Sequence, residues 1–95
     1  MKLVIAVVHN EDADDVVDAL LDARYRATRL ASTGGFLRRG NTTIMLGVQD
    51  DQVDDVLDII RQKAHSRPAT NPQGDPVKAG AATVFVLELE QYERL

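Results

Sequence analysis

A short stretch near the middle of the chain gathers most of the groups that could hold a ligand: Thr33-Gly34-Gly35-Phe36-Leu37-Arg38-Arg39-Gly40-Asn41. Paired glycines reach backbone angles closed to other residues and can bring bare N–H groups against a ligand. Flanking arginines attract phosphate, and Phe36 offers a ring on which a base can stack. Such a loop suits a nucleotide; a Gly-Gly pair between two strands also serves as a plain turn. Two well-known phosphate cradles are excluded. No Gly-Lys-Ser/Thr follows at the spacing of a Walker A loop, and the stretch joins two strands rather than a strand and a helix.

The flanking segments extend the pattern. Arg26 and Thr28 stand two apart and so share one strand face, as do Asn41, Thr43, Met45 and Gly47. A face carrying Asn, Thr and Gly is poor material for a dry core. Gly47 weakens a strand and leaves room for close approach of a ligand or backbone. These residues therefore line either a binding cleft or a polar seam between subunits.

Other chemistries find little support. His9 and His65 are the only histidines and there is no cysteine, so no metal-ligand spacing arises. No Ser-His-Asp arrangement is suggested. The carboxylate runs read as solvated helix faces rather than acid–base pairs in a pocket. Small acyl-phosphate hydrolases of similar length need an anion-cradling arginine loop after the first strand; here that place holds His9-Asn10-Glu11-Asp12, which repels phosphate. An RNA-reading sheet needs aromatics on its central strands, and none of the chain's four lies in the first or third predicted strand. We therefore expect no enzyme, no metal and no cofactor.

The elements that must position these residues follow from periodicity. Residues 2–9 are apolar on both faces, the pattern of a doubly buried strand. Asn10 is expected to cap a helix in which Ala13, Val16, Val17, Leu20 and Leu21 recur at helical spacing, ending near Arg24. Residues 25–33 read as a second strand and 41–49 as a third, the latter with Thr42, Ile44, Leu46 and Val48 on the face opposite Asn41 and Gly47. Asp50 is expected to cap a second helix with Val53, Val56, Leu57, Ile60 and Ala64 inward. Residues 65–80 hold all three prolines and no apolar periodicity, so they read as a long loop. A fourth strand spans 81–89. The order βαββαβ is the split βαβ, ferredoxin-like α+β arrangement with a four-stranded antiparallel sheet. Two helices cover one face of such a sheet. Yet Leu3, Ile5 and Val7 oppose Val4, Ala6 and Val8, and Phe85 and Leu87 oppose Val84 and Val86. The second face stays apolar and open unless another subunit covers it.

Totals agree with one small domain, residues 1–95, of 10.4 kDa and net charge −4. A domain this small buries little surface on its own. Eleven of the fifteen carboxylates lie in residues 11–22 and 50–58, whereas Arg24, Arg26, Arg29, Arg38 and Arg39 fall within sixteen residues between those runs. An acidic protein with one arginine cluster suits a small anion better than a nucleic-acid polymer; the same arginines also serve to balance the acidic helices. The apolar opening is too short for a membrane span and lacks a signal-peptide cleavage pattern, so a cytoplasmic location is expected.

Four stretches, residues 1–8, 28–37, 40–48 and 80–87, closely resemble the PII-like cyclic di-AMP receptor proteins of bacteria. The central motif runs Thr28-Arg29-Leu30-Ala31-Ser32-Thr33-Gly34-Gly35-Phe36-Leu37, then Gly40-Asn41-Thr42-Thr43. The resemblance implies a ferredoxin-like subunit, a homotrimer, and a cyclic dinucleotide in each cleft between subunits, with no catalysis. It assigns the ligand to residues matching Arg26, Thr28, Gly35, Phe36, Leu37, Asn41, Gly47 and Gly80. On that assignment Thr28, Asn41 and amides near Gly35 hydrogen-bond the ligand, Phe36 and Leu37 give apolar contact, Arg26 meets phosphate or base, and Gly47 leaves room. Three features depart from the family pattern. The 65–80 segment is shorter than in better-known members, Arg24 replaces a small polar amide, and Arg94 stands where a glutamine is common. The resulting expectation is a trimeric cyclic di-AMP sensor whose loops, about 34–40 and 65–80, change order with ligand and signal to a downstream protein. The alternatives are a sensor of another adenine nucleotide (ATP or ADP) and a trimeric adaptor that binds no nucleotide.

Overall fold

A computed structural model describes residues 1–30, 40–64, 67–70, 76–79, 82–90 and 93, with 67–70 and 76–79 described by their backbone. The elements are β1 (Lys2–His9), α1 (Asn10–Asp22), β2 (Thr28–Leu30), β3 (Asn41–Val48), α2 (Val53–Lys63), β4 (Arg67–Thr70), β5 (Pro76–Ala79) and β6 (Ala82–Glu88). Four strands form one antiparallel sheet in the order β2-β3-β1-β6. With α1 and α2 on one face, this is the expected ferredoxin-like α+β fold.

Register decides what each face carries. Val4 pairs with Leu46 and Val86, and Ala6 with Ile44 and Val84. These residues face the helices. Val4, Ala6, Val8, Ile44, Leu46 and Val48 form the buried core with Ala13, Val16 and Leu20 of α1 and Val56 and Ile60 of α2. The alternate residues make the other face. Leu3 pairs with Gly47 and Leu87, Ile5 with Met45 and Phe85, and Val7 with Thr43 and Thr83. Among the described residues no helix lies over this face, and Phe85 and Leu87 are 52% and 48% exposed. Shifting any strand by one residue would exchange the two sets, so the buried face pins the register.

Boundaries differ from expectation for identifiable reasons. Asn10 is the first residue of α1, not its cap. Its N–H donates to the Gly40 carbonyl at 2.8 Å and its Oδ1 accepts from Thr42 Oγ1 at 2.6 Å, which draws it into the helix start. Asp50 does not cap α2 either. Asp50–Gln52 is a 3₁₀ turn closed by Gln49 and Gln52, with Gln49 N–H donating to Gln52 Oε1 at 2.9 Å. Within the described residues β2 begins at Thr28 rather than Tyr25, because the chain first completes the exit of α1. There Arg24 N–H donates to Leu21 and Tyr25 N–H to Leu20, the paired bonds of a Schellman motif. The motif needs a left-handed residue between helix and strand. That residue is Arg24, at φ 71°, where glycine or asparagine fits with less strain. Replacing Arg24 with glycine is expected to stabilise the chain by about 0.5–1 kcal/mol. A lower melting temperature for the variant would mean that the arginine side chain contributes more than the backbone relief.

Reading residues 65–80 as one long loop needs correction. Within them β4 and β5 pair as an antiparallel ribbon, Arg67 opposite Ala79 and Thr70 opposite Pro76. Proline argues against a central strand, but in a two-stranded ribbon both strands are edges and each can leave an N–H unpaired.

Candidate functional site

β2 and β3 set the geometry. β2 ends the path from α1, so Arg26 and Thr28 emerge beside the sheet edge, while Tyr25 and Ala27 turn inward against the core. Tyr25 is held by its hydroxyl, which donates to Asp55 Oδ2 on α2 at 2.8 Å. That bond, aided by desolvation and the acidic helix, raises the phenol above its usual pKa. Arg29, on the helix-covered side, pairs with Asp14 of α1, so this arginine does balance the acidic helices. Arg26 points the other way and has no carboxylate partner among the described residues.

Thr28 lies opposite Met45 in the β2–β3 register. Arg26, Thr28 and Gly47 come together at one end of the helix-free face. With Leu3, Met45 and Leu89 they line an open cavity of about 290 Å³. Leu89 reaches this place because its N–H donates to the Met1 carbonyl at 3.0 Å, carrying the end of β6 alongside β1. The cavity thus pairs an unclaimed guanidinium and a hydroxyl with aliphatic walls, a combination that suits a flat, partly anionic molecule. Asn41 is not in it. It sits at the far end of β3, opposite His9, about 20 Å from Gly47 along the strand. Gly35, Phe36, Leu37 and Gly80, and also Arg94, lie outside the described residues.

Sequence reasoning missed Leu89. Its place depends on the β1–β6 register, which no local pattern reveals. A larger groove of about 380 Å³ runs between α2 and β6, lined by Leu57, Ile60, Ala64, Ala82 and Val84 with Arg61 at its rim. Its described walls are mostly aliphatic, and none of the described site candidates Arg26, Thr28, Asn41 and Gly47 lines it. Among the described residues no His, Cys, Asp and Glu cluster could hold a metal ion, and no helix is long and apolar enough to cross a membrane.

Comparison with known proteins decides the family. The whole chain, residues 1–95, matches the family model described as cyclic-di-AMP receptor. The chain belongs to the cyclic-di-AMP receptor family. It is also similar to the nitrogen fixation nifHD region GlnB-like protein 1 of Methanothermococcus thermolithotrophicus, with 35% identity over 77 residues, 67% of this chain and 73% of the relative. A solved structure of a functionally unknown protein from Pediococcus pentosaceus superposes with a TM-score of 0.77 at 45% identity, covering 99% of this chain and 96% of the other. As a member of the receptor family and a relative of a GlnB-like protein, this chain is a PII-like signalling receptor.

Proposed function

We propose that the protein binds cyclic di-AMP as a cytoplasmic homotrimer, with the ligand gripped between neighbouring copies and no bond made or broken. The observation that carries this reading is the cavity in which Arg26, Thr28 and Gly47 meet at the border of an uncovered apolar face. The family match to cyclic-di-AMP receptors supports the ligand. The separation of Asn41 from Gly47 supports the site between copies. Groups about 20 Å apart on one strand cannot converge on one adenine, whereas one end from each of two copies can. Association itself is favoured by the exposed Phe85 and Leu87 and by β6, an edge strand free of proline and lysine. On this reading segments 34–40 and 65–80 act as the readout to a protein partner.

Calorimetry tests the ligand. Cyclic di-AMP is expected to bind with a stoichiometry of one per chain, and ATP and ADP to compete poorly. Preference for ATP or ADP would move the reading to another adenine nucleotide. Absence of heat with all three, for protein whose oligomeric mass is confirmed, would overturn it.

A further inference from the structure

Thr42 and Thr43 are neighbours on β3 and point to opposite faces of the sheet. Thr42 Oγ1 donates to Asn10 Oδ1. Thr43 is 4% exposed, and its Oγ1 is sealed from solvent without a hydrogen-bond partner among the described residues. It lies on the helix-free face, opposite Val7 on β1 and Leu30 on β2. A hydroxyl buried without a hydrogen bond has given up its water and received nothing in return. Valine has the same shape and would carry no such penalty. Unmet buried polar groups are rare enough that each calls for an explanation.

Position suggests one. On its own strand Thr43 stands between Asn41 and Met45, on the face that leads to Gly47 and the cavity. Leu30, its partner on β2, is the last described residue before the segment holding Gly35, Phe36 and Leu37.

We propose that Thr43 belongs to the ligand-binding machinery: its hydroxyl is held without a partner in the free chain and gains one when ligand is taken up. A ligand shifts an equilibrium only by what differs between the two states. A bond unmet in one state and made in the other supplies such a difference and adds to the apparent affinity. The inference rests on the nucleotide-binding reading above and adds a residue that the family resemblance did not assign.

The test compares wild type, Thr43→Val and Thr43→Ser by calorimetry with cyclic di-AMP, by thermal melting with and without ligand, and by oligomeric mass. Thr43→Val is expected to raise the melting temperature of ligand-free protein by about 4 °C and to weaken cyclic di-AMP about tenfold, equivalent to about 1.4 kcal/mol. Thr43→Ser keeps the hydroxyl and is expected to bind within about twofold of wild type. Unchanged affinity in Thr43→Val overturns the proposal, whether or not the melting temperature rises. A smaller oligomeric mass for that variant also overturns it and assigns the hydroxyl to a contact between copies. If wild type takes up no cyclic di-AMP, the site reading fails and this proposal fails with it; wild-type binding that Thr43→Val leaves intact removes only the role of Thr43.

Discussion

Phe85→Glu is expected to dissociate the proposed homotrimer to single chains of 10.4 kDa, read by light scattering. Phe85 is 52% exposed in the isolated chain, so the substitution removes little from the core, and circular dichroism should stay unchanged. The apolar face is another matter. Ile5, Met45 and Phe85 form one row across β3, β1 and β6, and a neighbouring copy that covers the row takes the ring out of water. Burying a phenylalanine contributes roughly 1.5–3 kcal/mol, and a carboxylate in the same place adds a desolvation penalty. Each contact should therefore weaken more than about tenfold. Cyclic di-AMP binding should disappear with the assembly, because one copy offers only one end of β3 to the ligand. An unchanged mass for the variant would show that the face is covered in some other way.

Arg26→Ala is expected to weaken cyclic di-AMP by about ten- to a hundredfold without changing oligomeric mass. Arg26 is exposed and claimed by no carboxylate among the described residues, so its removal should not disturb folding. A hydrogen bond to a charged group contributes about 1.5–3 kcal/mol, which sets the range. Arg26→Lys should recover only part of the loss, since an ammonium cannot reproduce the planar two-pronged donor. The gap between wild type and Arg26→Ala should narrow as salt rises, because salt screens the guanidinium's attraction for phosphate. Equal affinities for wild type and Arg26→Ala would place the ligand elsewhere.

How far local pattern reaches is visible at particular residues. The two-faced apolar strands around Ile5 and Phe85 declared both the sheet and its uncovered face, because alternation in a strand maps directly onto sides. The inward helix positions Val16, Leu20, Val56 and Ile60 were legible for the same reason at helical period. Caps were not. Asn10 and Asp50 have the right chemistry for capping, but Thr42 and Gly40 recruit Asn10 from across the fold and a glutamine pair closes the second helix. The β4–β5 ribbon was hidden because its prolines and its lack of apolar periodicity in sequence remove the signals by which strands are recognised. Of the expected site, spacing put Arg26 with Thr28 and Gly47 with Asn41, but that Gly47 rather than Asn41 lies beside Arg26, and that Leu89 joins them, depended on strand register.

The order and periodicity of residues determined the ferredoxin-like plan, the acidic helix layer and the apolar second face. Those properties follow from which side of an element each residue occupies, and that is set within a few neighbouring positions. The receptor family was legible separately, from the resemblance of the motif around Gly34-Gly35-Phe36-Leu37. Tertiary structure alone decided that Arg29 is paired while Arg26 has no carboxylate partner among the described residues, that Gly47 and Asn41 stand at opposite ends of β3, and that the Thr43 hydroxyl is buried without a partner among the described residues. Each of these depends on which distant strand or helix arrives opposite, a matter of register between segments far apart in the chain.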